Sequence, residues 1–175
     1  KTIEFEQKIM REVVGSQDQT IASYGGFNKI IFNKNSKIKV QKISISKNTE
    51  KLNKNLVLIY TGINRTAHKI ANTYVRNLTK SKKNHIEKIM SFVNEGKKIL
   101  ESGNVDDFGR LLNISWIEKK NLSNLITNNK INDLYDEAIK YGALGGKLLG
   151  AGGGGFLLMY MKKENTKKFF KKYNK

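Results

Sequence analysis

The chain has 175 residues with no cysteine, no proline and two histidines, which excludes a disulfide scaffold and a cysteine-built zinc site and leaves too few imidazoles for a histidine-built metal centre. Hydrophobic residues make up 38%, with eight Phe and seven Tyr, enough for the core of one compact domain or two small ones. The formal net charge of +18 comes mostly from lysine spread along the chain, which argues against nucleic acid, whose readers favour the arginine fork, and for a small anionic substrate or a base-composition bias behind the Lys, Asn and Ile codons.

In chain order, apolar residues across Thr2–Val14 fit the end of an amphipathic helix, and Gly15-Ser16 interrupts it. Asp18–Tyr24 reads as a short helix that breaks at Gly25-Gly26. Strand-like runs follow at Phe27–Phe32, Ile38–Ile45 and Asn55–Tyr60, with Asn33–Lys37 as the turn between the first two. Asn55–Tyr60 is nearly all apolar, the mark of a strand central in its sheet. Three- and four-residue apolar steps predict helices over Thr66–Leu78, Lys83–Leu100 and Val105–Lys119, with Asn104 capping the last. A helix over Lys130–Tyr141 stopping at Gly142, a strand at Phe156–Met161 and a lysine-rich helix over Glu164–Tyr173 complete the chain. Long helices mixed with strands predict an α+β sandwich in which helices cover one sheet.

No segment resembles a signal peptide. Lys1–Met10 has no continuous apolar stretch, and Phe156–Met161 is too short to span a bilayer, so a cytoplasmic chain with no membrane partner is expected. The lack of an initiator Met fits a fragment as readily as a processed protein.

Two segments could carry chemistry. Gly145–Gly155 is dense in glycine, which reaches positive φ and admits close backbone approach but loses the most entropy on folding. Such density suits an anion-binding nest, the plainer alternative being a tight turn before Phe156. Lys147 precedes the run and no Gly-Lys-Ser/Thr follows, so this is not a Walker A loop, and the dinucleotide fingerprint does not fit either. In Gly15-Ser16-Gln17-Asp18-Gln19, a carboxylate between two amides beside a glycine hinge suits accepting or positioning a hydroxyl proton. The alternative for Asp18 is a plain helix N-cap.

Together and in this order, the segments resemble the back half of a GHMP-type kinase, the family of galactokinase, mevalonate kinase and homoserine kinase. The nearest branch is that of the D-glycero-D-manno-heptose 7-phosphate kinases. Gly15–Gln19 with Ser23–Asn28 resembles that branch's segment around the catalytic Asp, and Tyr60–Arg65 its strand-end segment. Leu111–Ser123, centred on Trp116 and Lys119, resembles the helical segment before the last motif, and Ala143–Phe156 the third conserved motif. The likeness runs from the first residues to about Tyr160. The family's second motif, a proline-led loop around the nucleotide phosphates, is missing, as are its amino-terminal strands. The His-Glu pair expected near Asn113–Trp116 is also absent.

The resemblance implies an α+β, GHMP-kinase-like fold, with residues 1–50 ending the N-terminal lobe and 51–175 forming a ferredoxin-like C-terminal lobe. It implies that Asp18 is catalytic, that Gln17, Gln19, Arg65 and Lys147 bind substrate, and that Gly150, Ala151, Gly152, Gly153, Gly154 and Gly155 form a phosphate-facing loop. ATP and Mg²⁺ are the implied cofactors of the complete enzyme, with no metal ligand assigned in this chain. A sugar phosphate is the implied substrate, and the missing N-terminal half or another copy of the chain the implied partner. The isolated chain is expected to be inactive. Solvated surface cations remain the alternative for Arg65 and Lys147, and core packing for Trp116, Tyr24 and Phe27. A basic nucleic-acid-binding module and a non-catalytic partner-binding remnant remain the competing functions.

Overall fold

The computed structural model describes residues 15–33, 35, 37–45, 48–64 and 82–173, with the isolated positions 3 and 9. Apart from those two positions, the helix expected over Thr2–Val14 lies outside the described residues, as do the helix expected over Thr66–Leu78 and Arg65. The described chain is α+β throughout.

Helix α1 (Gln17–Tyr24) stops at Gly25, whose φ of +60° opens a turn continued by Gly26 at +71°. Strands β1 (Asn28–Phe32) and β2 (Ile38–Lys42) form an antiparallel hairpin pairing Asn28 with Lys42 and Phe32 with Ile38. Asn33 closes it by donating from both its amide and its side chain to the Lys37 carbonyl. The second strand ends earlier than its alternation suggests, because Ile43 turns into the core. Phe27 meets Phe108 edge-on at 6.4 Å, whereas Tyr24 is exposed rather than packed around the glycine turn.

The sequence pattern misses α2 (Thr49–Asn55), a seven-residue helix held by fully buried Leu52. It leads directly into β3 (Leu56–Tyr60). Helices α3 (Lys83–Ser102), α4 (Val105–Lys120) and α5 (Asn129–Lys140) follow, then β4 (Ala143–Leu148), β5 (Phe156–Met161) and α6 (Lys163–Tyr173). Gly103 ends α3 in the left-handed region at φ +91°, where a side chain would be strained. Asn104 occupies the N-cap of α4 as expected, but its side chain donates to Asp107 instead of accepting from the helix backbone.

The main sheet is antiparallel with strand order β3-β5-β4. This corrects the central placement of Asn55–Tyr60, because among the described strands β3 is an edge and β5 is the middle. Leu58 and Tyr60 on β3 are 56% and 49% exposed, while Leu157, Met159, Tyr160 and Met161 on β5 are wholly buried. An unbroken apolar run therefore marks β5, both of whose faces are covered near Tyr160. Leu157, Met159 and Met161 enter one core cluster with Trp116, Ile126, Ile131, Tyr135 and Leu148. Tyr160 enters the other, with Ile43, Leu52, Leu100, Val105 and Leu112. Each such buried side chain contributes about 1.5–3 kcal/mol relative to exposure.

Buried polar groups lock the second cluster. The Tyr160 hydroxyl donates to Asp106 at 2.7 Å and accepts from the Asn55 amide at 3.0 Å. Lys51 pairs with the same Asp106 carboxylate at 3.2 Å, so α2, α4 and β5 meet at one point. Among the described residues, no helix is long and apolar enough to cross a membrane.

Candidate functional site

The glycine-rich segment divides into two parts with different work. Gly145 and Gly146 lie inside β4, not in a loop, which corrects the reading of Gly145–Gly155 as one continuous loop. A Cβ on Gly145 would overlap the Gly109 carbonyl and Asn113 on α4, and one on Gly146 would overlap Met159 and the Leu158 carbonyl. These two glycines let α4 and β5 approach β4. The loop proper is 149–155, joining β4 to β5, and Leu149 closes it by donating its amide to the Phe156 carbonyl at 2.9 Å.

Three clamps hold this loop. At its entry, the Lys119 ammonium at the end of α4 donates to the carbonyls of Leu148 at 3.0 Å and Gly150 at 2.6 Å. At its middle, Gly153 donates its amide to the Ile126 carbonyl and accepts from the Asn128 side-chain amide at 3.3 Å. Asn128 also caps α5 by accepting from the Ile131 amide at 3.1 Å. At its exit, Thr61 donates its amide and its hydroxyl to the Gly155 carbonyl, at 2.9 and 2.8 Å. The Gly155 amide returns a bond to the Ile63 carbonyl at 3.0 Å.

These bonds sort the loop amides into two sets. Those of Gly153 and Gly155 are spent on protein carbonyls. Those of Gly150, Ala151, Gly152 and Gly154 have no acceptor among the described residues. Of these four, Gly150, Ala151 and Gly154 line an open depression of about 200 Å³ with Ile63, Asn64, Leu149 and Gly155. Gly152 is buried against Ile126, where a Cβ would come within 2.8 Å of that side chain. Clustered amides without carbonyl partners are the donors an anion needs. The depression is smaller than the about 300–1,000 Å³ of a typical small-molecule pocket.

The other sequence-predicted residues that the structure describes do not line this depression. Asp18 stands exposed in the first turn of α1, and the N-cap is Ser16, which removes the plain capping alternative for Asp18. Gln17 is exposed and Gln19 half-buried on the same helix. Lys147 sits half-buried on β4, paired across the strands with Leu158, and desolvation lowers the pKa of its ammonium. No described carboxylate or acceptor pairs with it, and its partial burial does not fit the alternative of a solvated surface cation. Trp116 is core: it is 1% exposed, and its ring lies 6.2 Å from that of Tyr135. Tyr135 donates to Asn113 at 2.7 Å, and burial pushes its phenol up to about 12.

Sequence reasoning missed Thr61, Asn128 and Ile126, and gave Lys119 no task. Asn128 alone left a local sign, an Asn one residue before an apolar-periodic helix. The partners of Lys119 and Thr61 lie 29 to 94 residues away along the chain, where no local pattern reaches.

Fold and loop together define an α+β domain whose glycine-rich hairpin leaves the amides of Gly150, Ala151 and Gly154 without a described acceptor. Residues 97–174 match the family model described as GHMP kinases C terminal, and those residues carry the C-terminal domain of that family. It is 34% identical over 171 residues to the D-glycero-alpha-D-manno-heptose 7-phosphate kinase of Campylobacter jejuni, covering 95% of this chain and 49% of that relative. The chain thus spans about half the length of the curated relative it matches. Among solved structures, Leishmania major mevalonate kinase aligns with a TM-score of 0.71 at 22% identity, over 88% of this chain and 46% of that one. A D-glycero-D-manno-heptose 1-phosphate kinase from Bacteroides thetaiotaomicron aligns with a TM-score of 0.68 at 24% identity, over 98% and 46%. These two structural matches establish the fold.

Proposed function

We propose that this chain is the C-terminal part of a cytoplasmic, ATP-dependent sugar-phosphate kinase, and that the complete protein phosphorylates D-glycero-D-manno-heptose 7-phosphate. The observation that carries the reading is the set of amides at Gly150, Ala151 and Gly154, lining one depression without a described acceptor. The heptose 7-phosphate relative, 34% identical over nearly the whole chain, supports the choice of sugar. In this reading residues 1–50 end the first lobe and 51–175 form the second.

ATP, when bound, supplies the phosphoryl group. Asp18 accepts or orients the proton of the attacking sugar hydroxyl. The amides of Gly150, Ala151 and Gly154 stabilise negative charge on the transferring group without side-chain bulk. Lys147 and Arg65 meet the phosphate already on the sugar, and Gln17 and Gln19 contact its hydroxyls. Among the described residues no three carboxylate or imidazole side chains gather to hold a metal, so none is assigned to Mg²⁺.

The isolated chain is inactive in this reading, because phosphoryl transfer depends on positioning donor and acceptor together and the chain spans about half the length of its curated relative. Exposed Leu58, Tyr60 and Phe156, with the last two rings 5.1 Å apart, favour a partner surface such as the front half of the kinase or a second copy. The test is phosphoryl transfer from labelled ATP by the full-length protein, with heptose 7-phosphate, galactose and mevalonate as acceptors. Turnover is expected with the heptose alone, and none from the 175-residue chain. No transfer by the folded full-length protein, or equal transfer by the isolated chain, contradicts the reading.

A further inference from the structure

Lys119 occupies an unusual place for a lysine on the last turn of a helix. Its partly buried ammonium bonds the carbonyls on either side of Leu149, at Leu148 and Gly150. A charged donor makes each bond stronger than a neutral one would. The two carbonyls it draws in flank the entry to the loop whose next residues, Gly150 and Ala151, line the depression. Carbonyl oxygens left at that entry would repel an incoming anion, and a cation that engages them removes the repulsion. Gly150, at φ +63°, has no Cβ and nothing within 4 Å of where one would be, so side-chain packing does not fix its conformation. The Lys119 bond to the Gly150 carbonyl is a described side-chain contact that holds it.

We propose that Lys119 is a positioning residue for the anion-binding loop: by holding the Leu148 and Gly150 carbonyls it keeps the amides of Gly150, Ala151 and Gly154 arranged for a phosphoryl group in transfer. The proposal rests on the kinase reading for its effect on rate, but the clamp itself is a property of the loop. A purely structural lysine would lower stability when removed and leave the partition between kcat and KM unchanged.

The experiment compares Lys119→Met and Lys119→Arg in the full-length protein, by steady-state phosphoryl transfer to heptose 7-phosphate and by amide hydrogen exchange. Arginine can still donate to two carbonyls, and methionine to neither. Lys119→Met is expected to lower kcat by about 10- to 100-fold, the scale of a lost oxyanion donor, with KM for the sugar phosphate within about threefold. Exchange at the hydrogen-bonded loop amides, those of Leu149, Gly153 and Gly155, should rise about tenfold in the same variant while α5 and β5 keep their protection. Lys119→Arg should stay within about threefold of the parent in both readouts. An unchanged kcat in Lys119→Met, or a loss in Lys119→Arg as deep as in Lys119→Met, overturns the proposal. Should Lys119→Met not fold, Lys119→Leu, which likewise donates to neither carbonyl, is read by the same criteria. A parent protein that transfers no phosphoryl group sinks the kinase reading alone. Loop exchange then decides the clamp, faster exchange in Lys119→Met supporting it and unchanged exchange overturning it.

Discussion

The side-chain amide of Asn128 donates to the carbonyl of Gly153 at 3.3 Å, tying the start of α5 to the middle of the glycine-rich loop. The same side chain accepts the Ile131 amide through its oxygen, so one residue both caps a helix and anchors the candidate site. Asn128→Ala loses both bonds and should cost about 0.5–2 kcal/mol of stability, the range for a lost cap. Asn128→Asp keeps the cap and loses only the donor to Gly153. Its unfolding midpoint in urea should stay near that of the parent while its transfer activity falls. Equal activity in the Asp variant and the parent would reduce the Gly153 bond to an incidental contact.

Asp18 stands exposed at the start of α1 and is the residue expected to handle the acceptor hydroxyl. In the full-length protein, Asp18→Asn keeps the shape but cannot take a proton. A fall of about 10² or more in kcat, with a much smaller change in KM, is expected from steady-state kinetics. An unaltered kcat removes Asp18 from the chemistry.

Gly109 lies in the interior of α4 against the Tyr160 ring, where an added Cβ would sit 2.7 Å from the ring Cδ1. Helix propensity favours Ala over Gly by about 1 kcal/mol. Overpacking against a buried ring costs about 1–3 kcal/mol, and here the Tyr160 hydroxyl is held by two partners that resist its shift. Overpacking should win, and thermal unfolding of Gly109→Ala should show a Tm lower by about 2–6 °C. A raised Tm would mean that the ring yields freely.

The Tyr160–Asp106 bond makes stability sensitive at both ends of the pH range. The Tyr160 hydroxyl, opposed by desolvation and helped by Lys51, holds the Asp106 carboxyl below its ordinary value. That contribution is present above the ordinary carboxylate range and is lost as pH falls through the lowered folded value. Burial first, and the Asp106 carboxylate second, push Tyr160 up to about 12 from 10. Its contribution is complete below pH 10 and is lost as pH rises through about 12. Tyr160→Phe should therefore flatten both limbs of a stability–pH curve measured by urea unfolding. Limbs as steep as those of the parent would place the titrating groups elsewhere.

Strong local signals were legible in the sequence. The apolar run Phe156–Met161, the helical steps of Val105–Lys119 and the glycine break at Gly103 between them and the preceding helix all appear in the fold. Gly145 and Gly146 hid β4, because glycine reads locally as a turn while its actual use, close approach to Gly109, Asn113 and Met159, is tertiary. Thr49–Asn55 hid α2, since its one fully buried side chain, Leu52, gives no periodicity over seven residues. At the site, the density of glycine marked the loop, but the division of its amides depends on carbonyls at Ile63 and Ile126 that only the folded chain brings near.

The central claim is that the amides of Gly150, Ala151 and Gly154 receive the phosphoryl group in transfer. Amide chemical shifts of the full-length protein, recorded with Mg·ADP, aluminium fluoride and heptose 7-phosphate, test it most directly. The account predicts that the largest loop shifts fall on those three residues, with Gly153 and Gly155, whose amides are already bonded to Ile126 and Ile63, moving far less. Saturable binding of the same mixture with no change at Gly150, Ala151 and Gly154 would contradict it.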